Sequence, residues 1–136
     1  EFNALSTGFE ASGSAKGGYM QVPVGRSGIH YEWYILRKVR SLEIALHVEL
    51  RDQDLSLSYL EPLQSQLGDL SSKMGTEVKL GPFGKKSAYI GVAVPLDEDV
   101  PPMSLAPEAA GRMHALIQCT WPLVRDRIDQ STGESS

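Results

Sequence analysis

A glutamate and a lysine two positions apart are the side chains in this sequence best suited to phosphodiester cleavage. Glu77 and Lys79 form an E-x-K tripeptide on a predicted strand. Restriction-type nucleases use such a pair, with the carboxylate on Mg²⁺ and the lysine near the attacking water. They also need a second acid, for which Asp52 is the candidate. A predicted helix separates Asp52 from the pair, which is the wrong order for that site, so an exposed strand face is favoured.

Three histidines, His30, His47 and His114, are spread along the chain. His30 and His47 fall on neighbouring predicted strands and can face each other. Two imidazoles without a further ligand do not make a metal site, and Glu49 is the one acid that the pattern brings near them. We therefore predict no metal and no cofactor here, and a half-exposed polar face.

Five basic residues fall at the tips of two predicted hairpins. They are Arg37, Lys38 and Arg40 at the first tip, and Lys85 and Lys86 at the second. If the tips lay together, they would form a positive edge that could bind phosphates. The formal net charge of −4 opposes stand-alone nucleic-acid binding, and ordinary solvated turn charge is the simpler interpretation.

Four aromatic residues fall on predicted strands: Tyr31, Trp33, Tyr34 and Tyr89. Exposed aromatic rings on a sheet can stack with the bases of single-stranded nucleic acids. Burial in the core is the commoner role for such side chains, and it is the interpretation favoured here.

The elements that position these residues begin with a hairpin. Alternate residues from 29 to 36 are apolar or aromatic, a basic break follows, and strict alternation resumes from Leu42 to Leu50. A helix then follows, with Ser58 and Glu61 as a capping box, a leucine stripe, and Gly75 at its C-terminus.

The second half predicts the same order of elements. Strands are expected over residues 77–83 and 88–94, followed by an acidic, proline-rich loop from Asp97 to Pro102. A last helix from Ser104 is expected to be interrupted and kinked at Pro122. The fold class is therefore α+β: two strand–strand–helix units giving a four-stranded antiparallel sheet with two helices on one face. Residues 1–20 are predicted to be a flexible lead-in, 21–129 a single domain, and 130–136 a disordered tail.

Composition narrows the class of protein. The chain has 136 residues, 41% hydrophobic and 22% charged, as in globular domains. No apolar run approaches the roughly 20 residues that span a bilayer, so no membrane contact is expected. The single cysteine, Cys119, excludes an internal disulfide, which favours a cytoplasmic location and a role as a small buried hydrophobe.

Several segments together resemble an uncharacterised prokaryotic domain family. They are Gly25 to Trp33, the strand ending Leu46 to Leu50, the helix from Leu60 to Leu70, and the turn Met74 to Val78. Members of this family often stand at the C-terminal end of proteins with a restriction-endonuclease-like nuclease domain. The resemblance covers about residues 20–128, brings no catalytic residues with it, and implies an accessory domain in a nucleic-acid-processing or phage-defence protein.

These observations favour a non-catalytic accessory domain for assembly or substrate contact. A homodimer through the free sheet face or the last helix fits that role, as does nucleic acid on the basic edge. Two alternatives stay open: a metal-dependent nuclease using Glu77, Lys79 and Asp52, and a module that binds a small ligand or a peptide on its sheet.

Overall fold

The computed structural model describes residues 12–14, 19–96 and 102–131. It has six strands, namely β1 Ser12–Ser14, β2 Tyr19–Pro23, β3 Ile29–Leu36, β4 Ser41–Glu49, β5 Lys79–Phe83 and β6 Ser87–Pro95. Its α-helices are α1 Gln53–Leu60, α2 Leu67–Met74 and α3 Pro102–Ser131. The predicted acidic loop falls largely on residues 97–101, outside the described residues.

The strands form one antiparallel sheet in the order β1-β2-β3-β4-β6-β5. The α+β class is confirmed, but the prediction of four strands is wrong. β2 pairs along its length with β3, and the three-residue β1 extends that edge. The sheet therefore begins before residue 21, inside the predicted lead-in, and α3 extends to Ser131, beyond the predicted domain end.

One hydrophobic core lies on one face of the sheet, where the helices cover it. Alternate residues of β3, β4 and β6 contribute to it, Trp33 and Leu46 among them, together with Leu60 of α1, Leu70 of α2 and Leu116 of α3. This pattern follows from the period of 2 in each strand, which places every second side chain on the same face.

A buried hydrogen bond joins the sheet to α3. The hydroxyls of Tyr31 and Thr120 lie 2.6 Å apart, and Thr120 Oγ1 also donates to the Leu116 carbonyl at 2.6 Å. Because the single hydroxyl proton of Thr120 is used there, Tyr31 is the donor to Thr120. Burial raises the pKa of Tyr31, so its phenol stays protonated as this bond requires.

The helical segment after β4 begins earlier than predicted. Asp52 is its N-cap: its side chain accepts from the Leu55 N–H at 2.8 Å. Ser58 is inside α1 and donates to the Leu55 carbonyl, so the predicted capping box is wrong. A 3-10 helix, Glu61–Gln66, separates α1 from α2 where Pro62 lacks an N–H.

The predicted C-terminus of this segment is confirmed. Gly75 is left-handed, with φ of 73°, and donates its N–H to the Ser71 carbonyl. The later helix differs from expectation: α3 continues through Pro122, so the predicted interruption does not occur. None of the described helices combines the length and the apolar character that crossing a membrane requires.

Candidate binding face on the sheet

The face of the sheet opposite the helices, here the open face, carries polar, aromatic and very small side chains. None of the helices within the described residues packs against it. Cross-strand register places the following described residues on it: Gln21, His30, Glu32, Tyr34, Glu43, Ala45, His47, Glu49, Lys79, Gly81, Phe83, Ser87, Tyr89, Gly91 and Ala93.

Small residues in the middle of the open face leave a depression, here the aromatic hollow. Ala45 is the cross-strand partner of Gly91, and Ala93 is the partner of Glu43. The hollow has a volume of about 310 Å³. It is lined by Tyr34, Glu43, Ala45, Lys79, Pro82, Phe83, Tyr89, Gly91, Val92 and Ala93. A floor of small residues between aromatic walls can admit one long side chain from a partner.

Carboxylates give one wall of the aromatic hollow a negative character. Burial and the nearby Glu43 and Glu32 raise the pKa of Tyr34 to about 12. The Tyr34 phenol is therefore neutral at pH 7. The Ser41 hydroxyl donates to Glu43 Oε2, which fixes the orientation of that carboxylate.

A second depression, here the histidine hollow, adjoins the first and shares Tyr34 and Phe83 with it. Its volume is about 420 Å³, and it is lined by Gln21, His30, Glu32, Tyr34, His47, Glu49, Phe83 and Ser87. Two depressions with common walls make one groove across the open face, which suits an extended ligand better than a compact one.

The two histidines predicted to face each other are direct cross-strand partners, with ring centroids 6.0 Å apart. Glu32 is the acid in direct contact with them, and the expected Glu49 lines the same hollow. Glu32 Oε1 accepts from His30 Nε2 at 2.8 Å and lies 3.6 Å from His47 Nε2, which is too long for a hydrogen bond. Phe83 packs against the His47 ring, with centroids 5.0 Å apart.

His47 is buried, with 6% of its surface exposed, so the predicted half-exposed character is wrong for this residue. Its Nε2 has no hydrogen-bond partner within the described part of the chain. Burial lowers the pKa of His47, His30 adds to the decrease, and the carboxylates of Glu32, Glu43 and Glu49 oppose it. The imidazole is therefore neutral at pH 7.

Acidification is expected to lower the free energy of unfolding, and part of this decrease depends on His47. Because its pKa is lower in the folded protein than the ordinary 6.5, the unfolded chain binds the extra proton first, and the free energy of unfolding decreases below about pH 6.5. His47→Gln should remove this component, whose slope is at most about 1.4 kcal/mol per pH unit. Urea denaturation of both proteins between pH 8 and pH 5 measures it, and parallel curves would contradict it.

The three residues of the nuclease alternative lie apart. Lys79 is level with Ala45 in the sheet. Glu49 lies four strand positions beyond Ala45 on β4, about 13 Å away, and Asp52 follows Glu49 in the chain. Glu77 precedes β5 on the side away from Asp52. Asp52 caps α1 and is exposed, and its hydrogen bond from Leu55 lowers its pKa. These residues therefore do not assemble the predicted metal-dependent site.

The two basic tips lie at opposite ends of the sheet, so the predicted single basic edge does not form. Each tip immediately precedes a strand, β4 or β6, and these two strands are antiparallel neighbours that begin at opposite ends. Eight positions of β4, about 26 Å, separate them. The first tip has Lys38 and the backbone of Arg37 in a 3-10 turn, while Lys85 and Lys86 lie in the β5–β6 turn. Their binding of nucleic acid stays a prediction.

Arg40, the third basic residue of the first tip, also has a backbone role. Its φ is +49°, in the left-handed region, and its carbonyl accepts a hydrogen bond from Leu96 N–H at 2.8 Å. This bond joins the β3–β4 connection to the segment after β6.

Sequence reasoning missed the residues that shape the groove. No role was assigned from the sequence to Ala45, Gly91, Ala93, Glu32 or Glu43. Alternation along β4 did place Glu43 and His47 on the same face, which was the one available indication. Cys119 is half-buried on α3, and no group of three or more His, Cys, Asp or Glu is arranged to hold a metal among the residues described.

Comparisons with known proteins assign no family. No protein-family model matches the chain, and no curated protein matches it either. The chain has a backbone similar to that in the crystal structure of YbjN from E. coli, which is described as a candidate transcription regulator. The identity is 10%, the match covers 93% of this chain and 87% of that one, and the TM-score is 0.46. No functional inference rests on a similarity of this degree.

Proposed function

We propose that this domain is a non-catalytic binding module that holds an extended segment of a partner protein in the groove of its open face. The observation that carries the proposal is the groove itself: two adjoining hollows of about 310 and 420 Å³ on the sheet face that no described helix covers. Protein sheets that expose one face to water normally carry mainly polar residues there. Here the polar residues are accompanied by clustered aromatic rings around a floor of small residues.

The exposed aromatic side chain at the junction of the hollows supports a binding role. Phe83 is 48% exposed and packs edge-on against both His47 and Tyr89. Aromatic side chains are enriched at protein interfaces because they bury a large area at a small cost in side-chain entropy. Closing a partner over Phe83 would remove this apolar surface from water.

Charge argues against nucleic acid on this face. The strands place Glu32, Glu43 and Glu49 on it against a single cation, Lys79, and these four side chains sum to −3 + 1 = −2. A phosphate backbone would be repelled by this surface. Two copies meeting face to face through a twofold axis would also bring like charges together, so the open face disfavours the predicted homodimer there.

The accessory role implied by the family resemblance fits this proposal as context. A binding module attached to a nucleic-acid-processing protein would recruit or position a second protein and leave the chemistry to another domain. The two basic tips remain candidates for nucleic-acid contact, because they lie at the ends of the sheet and do not line the groove.

Selection from a phage-displayed library of random 12-residue peptides, followed by calorimetric titration of the enriched peptides, tests the proposal. Ala93 is exposed at the edge of the aromatic hollow, so Ala93→Arg should fill the hollow without unfolding the protein. We expect peptides that bind the wild type and Ser72→Arg, a control on the exposed side of α2, equally well. Ala93→Arg should weaken them at least tenfold. Peptides insensitive to Ala93→Arg, or a library that yields none, would contradict the proposal.

A further inference from the structure

The aromatic hollow has the composition of a site for an organic cation. Resting on the binding function proposed above, we propose that it receives a lysine or arginine side chain of the partner segment, with the alkyl part over Ala45 and Gly91 and the cationic end beside Glu43. The occupant is thus a basic peptide segment.

Three aromatic rings, those of Tyr34, Phe83 and Tyr89, line the hollow around its floor. Phe83 and Tyr89 have centroids 6.2 Å apart and planes inclined at 73°, so they form a corner on one side. Tyr34 lies on the other side, on β3, as the direct cross-strand partner of Glu43. A cation within about 6 Å of an aromatic face is attracted by the negative potential of the ring, and the attraction increases when the site excludes water.

Glu43 supplies a formal charge in a fixed position. The Ser41 hydroxyl bonds one of its carboxylate oxygens, leaving the other oxygen able to accept from a ligand. Glu43 and Glu32 also raise the pKa of the Tyr34 phenol, after the larger effect of burial, so both carboxylates lie near this ring. A carboxylate beside aromatic rings favours an ammonium or guanidinium over a neutral or anionic group.

Lys79 allows a second charge substitution, whose expected effect on affinity is opposite to that of Glu43. It stands two strands away from Glu43 and two strand positions farther along, about 12 Å at the usual spacings, and lines the opposite wall of the same hollow. Its ammonium opposes a cationic ligand and would attract an anionic one. Removing the charge of Glu43 and removing that of Lys79 should therefore change the affinity for one probe in opposite directions.

The experiment is an amide chemical-shift titration of the ¹⁵N-labelled protein with three probes of similar size: n-butylammonium, n-butanol and butyrate. We expect saturable shifts at Glu43, Gly91 and Ala93 with n-butylammonium, and weaker or no binding of the other two. Glu43→Gln should weaken n-butylammonium about threefold to fivefold and Lys79→Gln should strengthen it about twofold. The control Glu61→Gln, on the exposed 3-10 helix, should leave it unchanged.

Three results would overturn the cation site: no shift in the hollow with n-butylammonium, equal shifts with all three probes, or changes of the same sign in Glu43→Gln and Lys79→Gln. Each can occur while selected peptides still lose affinity on Ala93→Arg, and in that case the binding function stands and only the ligand class is wrong. If the peptides are insensitive to Ala93→Arg, the binding function itself is wrong.

Discussion

Gly28→Ala is expected to lower the free energy of unfolding by about 3 kcal/mol or more. Gly28 has φ of +85°, and a Cβ there would lie 2.1 Å from the carbonyl oxygen of Glu49. The Gly28 carbonyl also accepts from the Glu49 N–H at 2.6 Å, so the two backbones meet at the point where β3 and β4 end their pairing. Relieving the contact means separating the strands that carry His30 and His47. Urea denaturation measures the loss.

Gly25→Ala is the matched control for this substitution. Gly25 has nearly the same φ, +91°, but nothing lies within 4 Å of a Cβ built on it. It carries the backbone strain of a left-handed alanine without the steric contact, and about 1 kcal/mol is expected. Equal losses for Gly25→Ala and Gly28→Ala would mean that the close approach of the strands contributes nothing.

Gly91→Ala is expected to cost about 2 to 4 kcal/mol and to narrow the aromatic hollow. A Cβ on Gly91 would lie 2.2 Å from the Ile44 carbonyl oxygen and 2.6 Å from Ala45 Cβ. Since the first contact is to the backbone of β4, a side-chain rotation cannot relieve it. β4 and β6 are adjacent interior strands that carry the floor of the aromatic hollow, so the groove would be displaced.

Gly111→Ala serves as the control and is expected to raise the free energy of unfolding, whereas Gly91→Ala lowers it. Gly111 is exposed inside α3, and apart from the neighbouring backbone of the helix no described atom lies within 4 Å of a Cβ there. Alanine in a helix interior is favoured over glycine by about 0.5 to 1 kcal/mol, so this variant should gain stability. Thermal unfolding of both variants checks the pair. A Gly91→Ala protein as stable as the wild type would contradict the close packing of β4 against β6.

Local features of the fold were predictable because they depend on neighbouring residues. The alternation from Leu42 to Leu50 predicted β4 and which of its residues face the core, and Gly75 was correctly placed at a helix terminus. β2 was missed since the glycines and serines before it obscured a five-residue alternation. The capping prediction failed because the helix begins earlier, with Asp52 as the N-cap that accepts from the Leu55 N–H, so Ser58 lies inside it.

The order of the strands depends on the whole chain and could not be obtained in this way. Whether β5 or β6 pairs with β4 depends on tertiary contacts. Because β6 pairs with β4, Lys85 and Lys86 lie at the end of the sheet opposite to Lys38. The pairing of His30 with His47 was predictable from a hairpin register, whereas the position of Glu32 between them depends on side-chain rotamers. The aromatic hollow required both the register and the close approach of Gly91 to Ala45.

An amide chemical-shift map of the complex with a selected peptide shows directly whether the open face is the binding surface. We expect the perturbed amides to lie on β3, β4, β5 and β6 and to centre on Tyr34, Glu43, Phe83 and Tyr89, with α3 unaffected. Perturbations centred on α3 or on the β3–β4 tip, with the groove residues unchanged, would contradict it.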